Sequence, residues 1–260
     1  MEPVSTPPSP LTGKLALVTG GGRGIGLAVA LRLARDGARV IVTGRTTSDV
    51  ESTAAAVRGH GLTCDLSDRA ATDALVESVR AIGRVDILIN NAGIAESAPL
   101  AETSDAMWDR MMELNATVPF RLTRALVPAM TAAGWGRVIT IASNAGLTGY
   151  GYTSAYCAAK HAAVGMTRAL AVDLGRTGVT INAVCPGWVA TRMADEAISR
   201  IAARTGRDAT SARAALESMS PQRRLVEPEE VAAAVAMLCG EHARGIHGQT
   251  IVIDGGQVLK

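Results

Sequence analysis

The sequence predicts an α/β fold in which one parallel sheet carries helices on both faces. Short apolar runs of strand length alternate with amphipathic helical segments along the 260 residues, without an internal repeat or a domain linker. Continuous apolar runs are typical of strands buried on both faces, and the alternation requires crossovers that make successive strands parallel. We therefore expect a doubly wound sheet in one large domain.

Short apolar runs predict seven strands, and apolar residues that recur at helical spacing predict helices between them. Pro119 and Pro128 predict a bend or a break in the longest helix, because a proline inside a helix removes a backbone hydrogen bond. The predicted strands cover 15–19, 39–43, 62–65, 85–90, 136–143, 179–185 and 250–254, and the helices cover 24–36, 48–58, 68–82, 104–133, 154–175 and 229–239.

Two segments depart from the alternation. Residues 1–12 are rich in Pro, Ser and Thr, and this composition predicts a disordered tail before a domain over 13–260. The stretch 187–224 is polar and Ala-rich, and it interrupts the alternation after strand six. Long excursions of this kind often cover a ligand site, so we expect a lid over about 188–224.

Composition argues against several function classes. The net charge is +2 and the arginines are scattered, which disfavours nucleic acid as a partner. No apolar run reaches the roughly 18 residues of a membrane span. Four cysteines form no C-x-x-C pair and no zinc-like spacing, so we expect no metal site, reduced thiols and a cytoplasmic location.

A glycine-rich turn follows the first predicted strand and opens the first predicted helix. It reads Thr19-Gly-Gly-Gly-Arg-Gly-Ile-Gly26. Glycine allows a sharp turn and a close approach of the backbone to a pyrophosphate, while the helix N-terminus offers free N–H groups and a positive dipole end. No G-K-[S/T] sequel is present, which excludes the loop of a nucleotide triphosphatase. A turn without a ligand is the alternative.

The end of the second strand predicts which dinucleotide binds. The residues there are Thr43, Gly44 and Arg45, without the acid that would accept bonds from the ribose 2′-hydroxyl of NAD. Arg45, joined by Arg23 in the turn, would pair with the 2′-phosphate of NADP. We therefore expect NADP (NADPH), with NAD as the less favoured cofactor and two solvated arginines as the alternative interpretation.

Three polar residues form a candidate catalytic group. Tyr156 and Lys160 are four positions apart at the start of a predicted helix, which places both side chains on one face. Ser143 ends the fifth strand, and the carboxyl ends of parallel strands face the ligand crevice.

These residues belong to a set that resembles the short-chain dehydrogenase/reductase family over roughly residues 12–257. The resemblance implies a Rossmann fold with strand order 3-2-1-4-5-6-7. The matching positions are the turn 19–26, Cys64-Asp65-Leu66, Asn90-Asn91-Ala92-Gly93, Asn115, Ser143, Tyr156-x-x-x-Lys160, Pro186-Gly187 with Thr191, and Asp254-Gly255-Gly256.

The resemblance implies a role for each catalytic position. Tyr156 would protonate a carbonyl oxygen or deprotonate an alcohol, and Lys160 would favour the phenolate and hold the nicotinamide ribose. Ser143 would donate a hydrogen bond to the substrate oxygen. Asn115 would position a water that links Lys160 to solvent. A helix-bending polar residue is the alternative for Asn115.

The resemblance also implies binding residues and a homotetramer, in which the helices over 104–133 and 154–175 pair between subunits. For Asn91 a purely structural role is equally open, and for the substrate positions ordinary packing is the alternative. The cofactor set is Gly20, Gly22, Arg23, Gly24, Ile25, Gly26, Gly44, Arg45, Thr46, Asp65, Leu66, Asn91, Ala92, Gly93, Tyr156, Lys160, Pro186, Gly187, Val189 and Thr191, and the substrate set is Ile94, Ala95, Asn144, Leu147, Tyr152, Trp188 and Met193.

The predicted pocket lining is mostly apolar and favours an apolar or aromatic ketone. The segment 180–187 resembles reductases of 3-oxoacyl thioesters and aromatic polyketides, and this resemblance implies reduction of a 3-oxoacyl thioester or an aromatic polyketide ketone. The alternatives are an NAD-dependent secondary-alcohol or 3-hydroxyacyl-CoA dehydrogenase, and a non-catalytic dinucleotide-binding regulator. Similar reductases that dock an acyl carrier protein usually carry a basic patch at the ends of two adjacent helices. Here residues 132–135 at one helix end carry no charge, and only Arg176 remains at the other. A coenzyme A ester or a free ketone is therefore at least as plausible a substrate as a carrier-protein ester.

Overall fold

The structure is a computed structural model, and it describes residues 9–259. Its seven strands form one all-parallel sheet in the order β3-β2-β1-β4-β5-β6-β7, which confirms the predicted topology. The strands are β1 (Leu15–Thr19), β2 (Arg39–Gly44), β3 (His60–Thr63), β4 (Ile87–Asn90), β5 (Gly136–Ile141), β6 (Val179–Pro186) and β7 (Thr250–Ile253).

Helices cover both faces of this sheet. They are α1 (Gly24–Arg35), α2 (Thr47–Ala56), α3 (Arg69–Ile82), α4 (Asp105–Met112), α5 (Val118–Ala132), α6 (Ser154–Leu174), α7 (Arg192–Thr205), α8 (Ala209–Glu217) and α9 (Pro228–Cys239).

Each inner strand sends alternate side chains to two separate cores. In β1, Ala16 and Val18 pack with residues of α1 and α9 on one face. Leu15 and Leu17 pack with residues of α3 and α5 on the other face. Because both faces are buried, the inner strands are mostly apolar, and their few polar residues, such as Arg137 and Asn182, are buried as well. These apolar runs are the pattern that predicted the strands.

The long helix expected over 104–133 is interrupted near its middle. A π-helical turn, Glu113–Thr117, separates α4 from α5, and Pro119 lies in the first turn of α5. Pro128 remains inside α5. The backbone stays helical through this turn, since the N–H of Val118 donates to the carbonyl oxygen of Glu113. The irregularity that the prolines predicted is therefore a widened π-helical turn next to Pro119 rather than a complete break.

The last residues of the predicted N-terminal tail include a buried leucine. Leu11 is 1% exposed within the core beneath α1, and its N–H donates to the carbonyl of Asp36 at 2.9 Å. Residues 9–12 are thus anchored by one buried leucine, while residues 1–8 of the predicted tail lie outside the described part of the chain.

The segment expected as a lid contains two helices of its own, α7 and α8. They share a small apolar cluster that includes Ile198, Leu216 and Leu225. Val189 and Val226 pair in an isolated parallel bridge, so the two ends of the excursion meet. None of the helices within residues 9–259 is both long and apolar enough to cross a bilayer.

Candidate active site

The sheet topology opens a crevice at the carboxyl ends of β1 and β4. The chain crosses from β3, at one edge, to β4 beside β1, and ligands of open α/β sheets bind where the strand order reverses. The glycine turn lies there. Gly20 has φ +61° and Gly24 has φ +53°, a region that favours glycine. A Cβ on Gly26 would collide with the carbonyl oxygen of Gly20, so the turn is packed too closely for side chains.

The N-terminus of α1 is left open toward this crevice. Its N-cap residue, Arg23, makes no side-chain capping bond, and no acid lies in the first turn, which includes Ile25 and Gly26. Free N–H groups at such a terminus bind phosphate. The turn and the helix end therefore fit a dinucleotide pyrophosphate.

Asn91 ties β4 to the glycine turn. Its Nδ2 donates to the carbonyl oxygens of Thr19, at 2.8 Å, and Gly20, at 3.1 Å. In return, Thr19 Oγ1 accepts from the backbone N–H groups of Asn91 and Ala92 at 2.9 and 3.0 Å. These contacts support the structural role that the sequence left open for Asn91.

Several residues of the predicted cofactor set lie beyond the glycine turn. Gly44 ends β2, Arg45 and Thr46 follow it, and Arg45 is exposed. Hydrogen bonds from Ser67 hold the pKa of Asp65 below its ordinary value, and the nearby charge of Arg45 lowers this pKa further. Leu66, beside Asp65, is buried with Cys64 under α3.

Asp49 is a residue of this region that the sequence argument missed. A Cβ on Gly22 would lie 2.8 Å from Cβ of Asp49, so an acid of α2 borders the glycine turn. Sequence reasoning looked for an acid at the end of β2. The signal that could have found Asp49 is its place in the first turn of the following helix.

Ser143 follows β5 and is placed to donate a hydrogen bond. It is 8% exposed, and its Oγ accepts from the backbone N–H of Ala145 at 3.1 Å. Since that contact occupies an acceptor site, the hydroxyl hydrogen is left for other partners. Within the described residues it donates to Oδ1 of Asn144 at 3.4 Å, a long and weak bond.

Tyr156 and Lys160 lie on one face of α6 beside Ser143. The Lys160 ammonium is 5.7 Å from the Tyr156 ring centroid and donates to the carbonyl oxygen of Ile141 at 2.9 Å. Burial raises the pKa of Tyr156 to about 12, and the neighbouring Ser143 side chain partly offsets this rise. Burial also lowers the pKa of Lys160 to about 8.

These pKa directions refine the expected role of Lys160. The resemblance implies that Lys160 favours the phenolate of Tyr156. In the chain alone burial dominates, because the phenolate is removed from water and the ammonium bonds a backbone carbonyl instead. Tyr156 is therefore a neutral phenol at pH 7, which suits proton donation.

Asn115 lies in the π-helical turn and faces this group. Its Nδ2 donates to the carbonyl oxygens of Ile94 and Met111, both at 3.0 Å, while Oδ1 is buried and has no partner within residues 9–259. A Cβ on Gly93 would lie 2.5 Å from Oδ1 and 3.6 Å from Nζ of Lys160. An unpaired buried acceptor beside an ammonium fits the predicted water site.

The segment after β6 closes the crevice from the lid side. Pro186 ends β6, Gly187 follows, and Val189 makes the bridge at the base of the lid. Thr191 is the N-cap of α7, and its Cγ2 would be 3.2 Å from a Cβ on Gly24. The structure thus brings Thr191 against the glycine turn, although 167 positions separate the two residues in the chain.

The predicted substrate residues divide into several settings. Ile94 packs in a small cluster with Tyr156, and Ala95 follows it half-buried. Leu147 and Trp188 are half-buried, the latter against the lid cluster. Met193 is 41% exposed, and Tyr152 is 68% exposed with φ +64°, an uncommon backbone for a bulky residue.

Asn144 differs from the rest of the predicted substrate set. It is 5% exposed, and its Nδ2 donates to Gln257 Oε1 at 3.1 Å and Asp254 Oδ2 at 3.4 Å. Its amide therefore faces the turn after β7. Sequence reasoning did not identify Gln257, because no motif connects two residues 113 positions apart.

The comparisons with known proteins agree with this geometry. A family model for short chain dehydrogenases matches residues 14–202. The chain belongs to the short-chain dehydrogenase family. Membership makes it an NAD(P)-dependent oxidoreductase that interconverts a ketone and an alcohol, as the sequence predicted.

Relatives and a solved structure match over nearly the whole chain. A D-beta-hydroxybutyrate dehydrogenase of Cupriavidus necator is 37% identical over 257 residues, covering 96% of this chain and 100% of that protein. The 3-oxoacyl-acyl-carrier-protein reductase FabG of Escherichia coli is 37% identical over 250 residues, covering 95% and 98%. A crystal structure of an actinorhodin polyketide ketoreductase variant with NADPH has a TM-score of 0.90 and 38% identity, covering 94% and 97%.

Proposed function

We propose that the protein reduces a ketone to a secondary alcohol with NADPH, using Tyr156, Ser143, Lys160 and Asn115. One observation carries this proposal: a protonated phenol, a hydroxyl whose hydrogen is only weakly bonded and an ammonium lie together at the carboxyl end of β5. Gly93 borders this group, and its neighbour Ala92 borders Gly20 of the glycine turn. The bound dinucleotide supplies the hydride when present.

The side chains divide the remaining work. Tyr156 holds a proton on its hydroxyl and delivers it to the carbonyl oxygen. Ser143 donates its hydrogen to the same oxygen and stabilises the charge that develops there. Lys160, held by the Ile141 carbonyl, binds hydroxyl groups of the cofactor ribose. Asn115 holds a water at its free Oδ1 that returns protons from solvent.

Cofactor choice rests on the charges at the adenosine end. Arg45 and Arg23 are both exposed there, and charge-assisted pairs with a 2′-phosphate favour NADPH over NADH. Asp49 opposes this preference by its charge, but it lies on the side of Gly22 rather than at the end of β2. The NADPH complex of the actinorhodin ketoreductase supports the same choice.

For the substrate we propose a 3-oxoacyl thioester or an aromatic polyketide ketone. The names of the ketoacyl and polyketide ketoreductase relatives favour this class. The hydroxybutyrate dehydrogenase relative favours the alternative, an NAD-dependent oxidation of a secondary alcohol or a 3-hydroxyacyl-CoA ester. Burial raises the pKa of Tyr156, so its hydroxyl holds a proton that it can donate, and this supports the reduction direction.

The test follows NADPH absorbance with a panel of free ketones, coenzyme A esters and carrier-protein esters. Tyr156→Phe should lower kcat by about a thousandfold, the usual scale of general acid catalysis, with NADPH affinity unchanged. Tyr150→Phe is the matched control, because it removes the same phenolic hydroxyl from a tyrosine that the proposal gives no part in proton transfer. A Tyr156→Phe variant that kept its rate would contradict the catalytic assignment.

We also propose a cytoplasmic homotetramer. Trp108 in α4, Phe120 in α5 and Val172 in α6 are 43%, 40% and 83% exposed, and exposed apolar side chains favour burial against a second copy. All four cysteines are free thiols, which supports a reducing compartment. Sedimentation should give a tetramer, and Val172→Lys should shift it to smaller species. A monomeric wild type would contradict the assembly.

A further inference from the structure

The turn that follows β7 is built around one buried carboxylate. Asp254 is 4% exposed, and its Oδ1 accepts from the backbone N–H groups of Gly256, at 3.0 Å, and Gln257, at 3.1 Å. Its Oδ2 accepts from the N–H of Val258 at 2.9 Å. Three backbone bonds to one carboxylate fix the position of Gln257 relative to β7.

This turn also packs closely against Gly187, which follows β6, and against Ser220 at the end of the lid. A Cβ on Gly187 would lie 2.7 Å from Cβ of Asp254 and 3.3 Å from Oε1 of Gln257. Ser220, at the end of the lid, donates from its hydroxyl to the carbonyl of Gly255 at 3.0 Å. The turn therefore has little freedom to move away from the site.

Gln257 and Asp254 together fix which way the Asn144 amide points. Both offer an acceptor to Nδ2 of Asn144, at 3.1 and 3.4 Å. A flipped amide would turn its oxygen toward two acceptors, which is repulsive. Oδ1 of Asn144 is therefore held toward Ser143.

That orientation bears directly on the hydroxyl hydrogen of Ser143. The hydroxyl donates to Oδ1 of Asn144 at 3.4 Å, while its acceptor side is occupied by the N–H of Ala145. This long hydrogen bond orients the hydroxyl hydrogen but is weak. The hydroxyl can therefore donate to a substrate carbonyl oxygen instead, with little loss of free energy.

We propose that Gln257 is a positioning residue for this reaction, which acts through Asn144 to aim the hydroxyl of Ser143. The inference rests on the proposed function, because it concerns the rate of ketone reduction. Asn144 then belongs to the positioning of Ser143 rather than to the pocket wall.

The test compares kcat for one ketone across variants of the pair. Gln257→Leu keeps the size but removes the acceptor, and it should lower kcat about fivefold, the scale of one net hydrogen bond, with KM for NADPH unchanged. Gln257→Glu presents an acceptor in either protonation state and should stay within about twofold of wild type. Val258→Ala is the control, since only its backbone serves the turn.

A double-mutant cycle tests whether Gln257 acts through Asn144. In an Asn144→Ala background, Gln257→Leu should have no further effect on kcat, because the intermediary is gone. Effects that multiply, or a Gln257→Glu variant as slow as Gln257→Leu, would overturn the proposal. If Gln257→Leu lowers the melting temperature strongly, Asn144→Asp breaks the same bond from the other side and should also lower kcat.

A structural readout separates this inference from the proposed function. In Gln257→Leu only the longer contact of Asn144 Nδ2 with Asp254 remains, so a crystal structure should show the Asn144 side chain less ordered and Oδ1 displaced from Ser143 Oγ. An unchanged Asn144 would overturn the inference whatever the enzyme reduces. A wild type that reduces no ketone would instead contradict the proposed function.

Discussion

Gly93 and Asn115 approach so closely that no side chain fits between them: a Cβ on Gly93 would lie 2.5 Å from Oδ1 of Asn115. Gly93→Ala should therefore push the Asn115 amide out of place and disturb the water site beside Lys160. We expect kcat to fall about ten- to hundredfold and the free energy of unfolding to fall by roughly 1–3 kcal/mol. Steady-state kinetics and urea unfolding measure the two effects.

Gly149→Ala is the matched control for this substitution. Gly149 lies in the exposed loop before α6, and a Cβ there meets nothing within 4 Å. Both variants add one methyl group, so a similar loss in the control would show that the effect is not specific to the contact with Asn115.

Lys160→Met should stabilise the chain in the absence of cofactor at pH 7. Burial lowers the pKa of Lys160 to about 8 from 10.5, so at pH 7 the folded state contains a costly buried ammonium. We expect the free energy of unfolding of the variant at pH 7 to exceed that of the wild type by roughly 1–3 kcal/mol. The loss of the hydrogen bond from Lys160 to the Ile141 carbonyl offsets part of this gain.

The sign of the pH dependence follows from the same shift. Between pH 8 and 10.5 the unfolded lysine keeps its proton while the folded one has lost it, so the stability of the wild type rises with pH. The advantage of Lys160→Met should vanish by about pH 10. Urea unfolding at pH 7 and pH 10 measures this, with Lys14→Met, near the Trp135 ring, as control. A difference that did not change with pH would contradict the prediction.

Arg45→Ala should weaken NADPH and leave NADH nearly unchanged. Arg45 is exposed at the end of β2, where its guanidinium would pair with the 2′-phosphate that only NADPH carries. Loss of a charge-assisted bond predicts an increase of about tenfold or more in KM for NADPH. Arg39→Ala, at the other end of the same strand, is the control. Equal effects on both cofactors would remove Arg45 from the phosphate site.

Asn91→Ala should destabilise the glycine turn. The Asn91 amide is hydrogen-bonded to the carbonyl oxygens of Thr19 and Gly20, and its removal leaves both without this donor. We expect a loss of roughly 1–3 kcal/mol in unfolding free energy and weaker NADPH binding.

Asn91→Asp tests whether the donor, rather than the size, matters. An ionised carboxylate cannot donate, so this variant should be at least as unstable as Asn91→Ala. A stable Asn91→Asp variant would show that these hydrogen bonds contribute little.

The ends of helices and strands were predicted well where a buried element has a run of apolar residues, and less well where the element is exposed. The inner strands are buried and mostly apolar, and they were located within a few residues. The edge strand β3 was placed two residues late, because three of its four residues are exposed and leave no apolar run. The π-helical turn around Asn115 was visible only as a predicted break, since no residue pattern specifies a widened helical turn.

Site residues close in sequence or at strand ends were accessible to sequence reasoning. The helical spacing of Tyr156 and Lys160 and the strand-end position of Ser143 follow from local geometry alone. The orientation of Asn144 toward Gln257 does not, because a hydrogen bond between residues 113 positions apart depends on how β5 and β7 are spaced in the sheet.

The sequence by itself determined the parallel sheet and the glycine turn, and it predicted which groups react, because periodicity, glycine and residue spacing act locally along the chain. Only the tertiary structure decided the ionisation of those groups and the partners that aim them. Burial of Tyr156 and Lys160, the free Oδ1 of Asn115 and the contact of Thr191 with the glycine turn arise where distant segments pack together. Desolvation and hydrogen-bond direction are properties of that packing, and no residue pattern encodes them.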